Sequence, residues 1–238
     1  MGVVQGNKVK VGFFSFTEIT DPAEHHSYNE WHQLDHMPEQ FPLPGIAFGQ
    51  RWVSTPACRA ARAADGELLA PIHYVTLYLM LDPVDETLRD FMALGRELHE
   101  VDRFHQHRRA LLSGPFAVDA TLATPRVLIS AEAVPYRPNR GVYVVVADGD
   151  EAGLDAEATL DVPGVAGVWT FRSRAELSER YGTGRRTIAV CWLDAPPLDV
   201  APGLDALLDP GSPDLVFAGP FETVVPWQWD WFDQSRPG

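Results

Sequence analysis

Two periodicities alternate along this chain, and they recur in the same order in both halves. Residues 9–16 (Val-Lys-Val-Gly-Phe-Phe-Ser-Phe) are rich in β-branched and aromatic side chains and predict a strand. Asp21-Pro22 is a helix start, an N-cap carboxylate followed by proline at the first helical position. The helix should run to about Met37, where Pro38 removes a backbone donor and clashes with the Leu34 carbonyl, kinking or ending it. Gly45 ends the next turn, residues 46–54 read as a second strand, 55–71 as a small-residue loop, and 72–81 as a near-continuous apolar strand. Leu88, Phe91, Met92, Leu94, Leu98 and Val101 recur with helical spacing and predict one long helix over 85–112, followed by a fourth strand at 116–122. Strand, helix, strand, strand, helix, strand is the split βαβ pattern.

The second half repeats the plan with shorter helices. Strands are expected at 142–147, 165–172, 187–193 and 215–225, with a short helix at 151–160 and a stub at 204–208. Two echoes support the duplication. Pro44-Gly45-Ile46-Ala47 returns as Pro163-Gly164-Val165-Ala166, and Gly114-Pro115-Phe116 as Gly219-Pro220-Phe221. Pro135-Tyr136-Arg137-Pro138-Asn139 reads as the linker. The expected fold is α+β: two fused ferredoxin-like units, 1–134 and 135–238, whose antiparallel sheets pack into an α/β barrel within one chain. The sheet faces left open by the helices alternate apolar residues, Val75, Leu77 and Leu79 in the first unit and Ile188, Val190 and Trp192 in the second. Such faces satisfy each other without a second chain, so a monomer is expected, with any homodimer optional.

Composition narrows the function classes. With 238 residues, 45 % hydrophobic and 22 % charged, the chain has the make-up of a soluble globular protein. Its net charge of −14 argues against nucleic acid, whose phosphates need a basic footprint, and against anionic membrane surfaces. Cys58 and Cys191 lack metal-ligand spacing and suit a reducing compartment. No secretory leader or membrane-length apolar run is seen, so a cytoplasmic location is expected.

The chemistry gathers in one stretch, Tyr28-Asn-Glu-Trp-His-Gln-Leu-Asp-His-Met-Pro-Glu39. Spacings of three and four put Tyr28, Trp31, His32, Asp35, His36 and Glu39 on one helix face, across from Leu34, Met37 and Phe41. Two imidazoles beside two carboxylates suit proton transfer near neutral pH. A merely solvated polar face is the alternative. His36 is the candidate general base or acid and His32 a second proton carrier. Asp35 or Glu39 would orient or tune an imidazole, and Tyr28 and Arg51 would polarise a carbonyl oxygen. Arg51 has a competing role, a salt bridge to Asp35 or Glu39.

Tyr28-Asn29-Glu30-Trp31-His32, Asp35-His36-Met37-Pro38-Glu39 and Pro44-Gly45-Ile46 resemble the core motif of the EthD-like group of the dimeric α/β-barrel superfamily. The similarity is strongest over 9–55. Lactone isomerases, polyketide cyclases, dehalogenating or dehydrating enzymes and cofactor-free oxygenases are among those relatives. The resemblance implies a small-molecule pocket between helices and sheet of one unit, with His36 as the family-like histidine and Tyr28 and Trp31 as the aromatic pair. It implies a reaction without a cofactor. The second unit has Gly153-Leu154-Asp155-Ala156-Glu157-Ala158 where the first has histidines, and no histidine follows His107, so any such site belongs to the first half.

Other groups are weaker candidates. His99, His105 and His107 could join His32 and His36 around a metal, but the spacing matches no metal motif, and 105–109 reads better as a solvated basic helix end. The site is therefore expected to be metal-free. His73 opens the third strand and faces either the pocket or a hydrogen bond at the sheet end. Trp227-Gln-Trp-Asp-Trp231 alternates tryptophans that would cover the pocket or a sheet edge, or be buried as core. A non-catalytic binding protein using the same pocket is the alternative function.

Overall fold

Every strand that bounds the interior finds a partner on both sides. In a computed structural model describing residues 7–151, 153–209 and 211–233, nine strands form: β1 (Val9–Ile19), β2 (Ile46–Val53), β3 (Ala64–Asp65), β4 (Tyr74–Leu81), β5 (Arg108–Ala123), β6 (Gly141–Asp148), β7 (Val165–Arg172), β8 (Arg186–Leu193) and β9 (Leu215–Thr223). Eight of them, in the order β2-β4-β1-β5-β7-β8-β6-β9, close on themselves through a β2–β9 pairing, and every pairing is antiparallel. The short β3 adds to β9. Each half has the strand order of a ferredoxin-like unit. The fold is the expected intrachain α/β barrel.

The interior is apolar because alternate side chains of every strand point into it. Phe14, Phe16, Val75, Leu77 and Leu79 from the first half meet Val144, Val146, Trp169, Ile188, Val190 and Trp192 from the second in one buried cluster. The six residues expected to share open faces are all within it. Asn139, in the linker, ties the halves: its Oδ1 accepts from Trp52 Nε1 at 3.0 Å and Thr223 Oγ1 at 2.6 Å.

Helices cover the outer faces: α1 (His25–Trp31), α2 (Met37–Gln40) and α4 (Val84–Glu100) on the first unit, and α5 (Ala156–Thr159) and α7 (Pro197–Asp205) on the second. Two more, α3 (Pro56–Ala60) and α6 (Ala175–Tyr181), lie in the β2–β4 and β7–β8 connections. Each reaches across to the other unit, α3 to β9 and α6 to β5. The echoed glycines sit at these crossings. A Cβ at Gly114 would lie 2.4 Å from Thr183 beyond α6, and one at Gly219 2.9 Å from Arg62 beyond α3. Among the described residues no helix is long and apolar enough to cross a membrane.

Several expectations are corrected. The helix over 85–112 stops at Glu100, and β5 begins at Arg108. Between Val101 and Arg108 the chain offers only Phe104 to the apolar stripe, while ladder bonds to β1 are available from Arg108 onward, so strand wins. Asp102 makes the break in the left-handed region (φ 57°), which aspartate tolerates. The helix over 151–160 shrinks to Ala156–Thr159, capped by Asp155, whose carboxylate accepts from the Glu157 and Ala158 N–H groups. The stub at 204–208 is the end of α7, started by Pro197. The loop over 55–71 contains α3 and β3, and α6 was not anticipated.

Because the two inner faces are buried only against each other, residues 1–134 alone should aggregate or homodimerise. Sedimentation and melting of that fragment test this, and a soluble, cooperatively folded monomer would contradict the intrachain barrel.

Candidate functional site

The first helix does not end at Pro38; it widens before it. Asp21 caps a 3-10 turn at Pro22–Glu24, α1 follows, and His32–His36 form a π turn leading into α2. The Met37 N–H bonds to the His32 carbonyl, five residues back. An α-helical turn here would press the Pro38 ring on the Leu34 carbonyl, and the wider turn relieves that contact. His32 and His36 end with rings 5.2 Å apart and edge to face.

Both line a cavity of about 570 Å³ between this helix, α4 and the outer face of the first sheet. That volume is within the range that encloses a small organic molecule. The cavity exists because β1 breaks the apolar pattern of its outer face. Phe13 is followed at alternate positions by Ser15 and Thr17, which line the cavity with Thr76, Tyr78 and Ser113 from the neighbouring strands. In the second unit the corresponding outward residues Tyr143 and Val145 are fully buried and packed in an apolar cluster with residues of α5 and α7. Phe91, Met92 and Phe104 supply apolar walls, and Gln40, Arg96, His99, Glu100 and Arg108 complete the polar set. Buried polar atoms without a protein partner concentrate here: His32 Nδ1, His36 Nδ1, Gln40 Oε1, Thr76 Oγ1 and Tyr78 OH.

The other expected site residues surround the cavity rather than line it. Trp31 stacks on His36, centroids 4.7 Å apart, and donates from Nε1 to the Arg103 carbonyl at 2.8 Å. Asp35 and Glu39 both accept from Arg103 Nη2, at 2.6 and 2.8 Å, and so hold the loop after α4 to the helix. The salt bridge considered between Arg51 and these acids is not made. Arg51 is 2 % exposed, donates to Asn29 Oδ1 at 3.0 Å, and lies over the Tyr28 and Tyr74 rings at 5.1 and 5.4 Å. Tyr28, 1 % exposed, packs edge to face on His32. His73 is remote: its Nδ1 accepts from the Ile19 N–H, and its ring packs on His25 and Phe232.

The remaining histidines scatter. His99 lines the cavity, whereas His105 bonds Ser27 Oγ at 3.0 Å and is half-buried, not a solvated helix end. Among the described residues the His and acid ligand atoms that come within 4.8 Å of one another belong to Asp21, Glu24 and His107, a set that excludes His32 and His36. The tryptophan tail does not cover the cavity. Trp229 is buried with Tyr28, Tyr74 and Val224, while Trp227 points out, 71 % exposed. Sequence reading missed Thr76, Gln40 and Arg108. The Ser15–Thr17 alternation was the one available signal.

Burial governs the electrostatics. It holds His32 well below the ordinary 6.5, with Arg51, His36 and Arg108 pushing the same way. His36 falls to about 4, from burial first and then Arg108, with Asp35 opposing. Burial raises the Tyr78 phenol. At neutral pH the cavity therefore holds two uncharged imidazoles and a protonated phenol.

The chain matches no family model, and no curated protein matches it. Among solved structures it is similar to a candidate chlorite dismutase at 11 % identity and TM-score 0.51, over 94 % of this chain and 98 % of that one. A candidate monooxygenase from Lactobacillus acidophilus NCFM aligns at 8 % identity and TM-score 0.40, over 90 % and 93 %. The first likeness shows a shared α/β-barrel fold.

The depressed histidines predict an acid-labile fold. Unfolded imidazoles titrate near 6.5, whereas folded His25 and His36 do so near 4 and His73 near 3. The unfolded chain therefore binds more protons in this window, and stability, full above about 6.5, drains as pH falls towards 4. The Tm should drop across that range, and His36→Gln should shallow the drop. A Tm unchanged between pH 7 and 4.5 would contradict this burial.

Proposed function

We propose that this chain is a cofactor-independent enzyme of the EthD-like kind, moving a proton on a carbonyl-bearing or cyclic organic substrate in an isomerase, cyclase or lyase reaction. The observation that carries the reading is the pair of uncharged imidazoles one turn apart in a half-closed cavity whose far wall bears hydroxyls and a guanidinium. Neutral His36 takes a proton from the carbon beside the carbonyl. The C–H electron pair becomes the new C=C bond, and the carbonyl oxygen takes the negative charge. Tyr78 and Thr76, whose hydroxyl oxygens lack protein partners, donate to that oxygen. The His36 imidazolium then gives up its proton, directly or by relay through His32, to a second atom of the substrate, so the substrate loses and gains one proton and both imidazoles end uncharged.

The low pKa of His36 comes first from burial and then from Arg108, with Arg51 also disfavouring a further cation. An enolate forming alongside supplies the missing negative charge and stabilises the imidazolium. Arg51 and Tyr28 act on the cavity from behind His32, and Asp35 tunes His36 through its charge. In this reading 1–134 carries the site and 135–238 serves as its structural partner. The free, buried Cys58 and Cys191 suit the cytoplasm. A barrel closed within one chain makes a monomer sufficient and a homodimer optional.

Deuterium exchange at carbons beside the carbonyl, followed by NMR in D₂O across cyclic ketones and keto acids, measures this step directly. His36→Gln should lower exchange by about 10²–10⁴-fold, the range for a general base. The wild-type rate should be flat from pH 6 to 8 and fall as pH drops through about 4, where His36 protonates. Undiminished exchange in the variant would remove His36 from the role. Binding without exchange across the panel would favour the non-catalytic alternative.

A further inference from the structure

Among the described residues Arg108 is a cation without an anionic partner. It opens β5, half-buried at the cavity wall, and burial lowers its pKa. Most arginine side chains near it are spoken for: Arg103 by Asp35 and Glu39, Arg109 by Glu18. Among the described residues no carboxylate lies within ion-pair range of Arg108, and its guanidinium makes no side-chain hydrogen bond. Glu100, the one carboxylate lining the cavity, is exposed and leaves Arg108 unpaired. A half-buried cation without a partner is costly, and such a group is retained where a ligand supplies the counter-charge.

What surrounds the guanidinium describes the rest of that ligand. Phe104 lies under it at 4.7 Å and Trp31 at 5.9 Å, which holds the guanidinium against an aromatic wall while its N–H groups keep no side-chain acceptor among the described residues. Phe104 also packs on His36, centroids 5.1 Å apart, so the cation and the imidazole share one aromatic wall. Phe13 and Phe91 close the apolar side at 4.8 Å from each other. Anion-binding fork, flat aromatic walls and unpartnered hydroxyls all face one space of about 570 Å³.

We infer that the cavity takes a planar organic acid of one or two rings, its carboxylate held bidentate by Arg108 and its body between the Phe104 and Phe13–Phe91 walls. This deepens the proposed proton-transfer reading by naming its substrate class. It explains how a chain with a net charge of −14 recruits an anion: the recruiting charge is local and unneutralised. It also places the substrate beside His36, because the guanidinium and the imidazole pack on the same Phe104 ring.

Calorimetric titration of the whole chain with benzoate, 2-naphthoate, methyl 2-naphthoate and 2-naphthylmethylamine tests the inference. The better carboxylate should bind about 10- to 100-fold more tightly than the matched ester, the range for hydrogen bonds to a charged group, and the amine should bind more weakly still. Arg108→Gln should bring carboxylate affinity down to that of the ester while leaving the ester unchanged. Arg108→Lys keeps the charge without the fork and should weaken the carboxylate selectively, which secures the test if the glutamine variant melts early. No carboxylate binding, equal binding of acid and ester, or carboxylate affinity untouched in both variants would overturn it. The readout is binding without turnover, so it stands or falls apart from the role of His36.

Discussion

Closure of the barrel is the constraint on which everything else rests. Each half alone would leave two sheet edges and one apolar face bare, and a single chain resolves all of these at two seams. The seams are unequal. β5 and β7 pair over six residue pairs, whereas β2 and β9 share only Trp52↔Thr223 and Val53↔Glu222. Past that contact β9 turns to β3, which occupies the edge that β2 has left. The short seam is reinforced by side chains. Asn139 bonds Trp52, Gln50 and Thr223, and Thr55 donates to Glu222 at 3.1 Å. Closure also fixes the outer faces, because once alternate residues point inward their neighbours have only helices to meet.

The cavity follows from a local mismatch on that outer face. Ser15 and Thr17 are too short and too polar to be sealed by apolar helix residues, so α4 and the first helix bridge a gap rather than fill it. Two devices hold the gap open at a fixed size. The π turn lets the helix pass Pro38 while directing His32, His36 and Gln40 to the same space. The Arg103 clamp on Asp35 and Glu39 then ties the loop after α4 to that helix, which sets Phe104 and Arg108 in the wall. The two carboxylates thus shape the site mechanically, from its rim, while the groups facing the cavity carry no negative charge except Glu100.

What could be read from the chain in advance divides along physical lines. Strands were legible because their alternation is imposed by burial on both sides of a closed wall: Val75, Leu77 and Leu79 have no other place to go. The echoes at Gly45 and Gly164 were legible for a related reason. Both take positive φ, 87° and 93°, and both press on the second helix of their unit, against Thr87 and Val200. The helical ends were not legible, since Val101 to Arg109 carries helix-compatible residues and its fate is decided by pairing with a strand ninety positions away in sequence order. The same blindness hid Arg108, which reads as a solvated helix end until β5 is known. Tyr28 and Arg51 were picked out by residue type, but helical spacing cannot tell a side chain that lines a cavity from one buried a layer beneath it.

The two halves share a backbone plan and differ in what their outer faces tolerate. In the second, Tyr143, Val145, Ala189 and Cys191 are fully buried, and the one polar outlier, the Tyr143 hydroxyl, is satisfied by Asp205 Oδ1 at 2.5 Å. In the first, at least five polar atoms around the cavity are left without protein partners. An unsatisfied buried polar group costs about 1–3 kcal/mol. A fold that needed this face only for support would have converted it to the sealed form, which the same chain demonstrates to be available. Five such atoms converge on one cavity, beside three of the eight histidines of the sequence, and this convergence is the strongest argument that the first unit is built around a ligand.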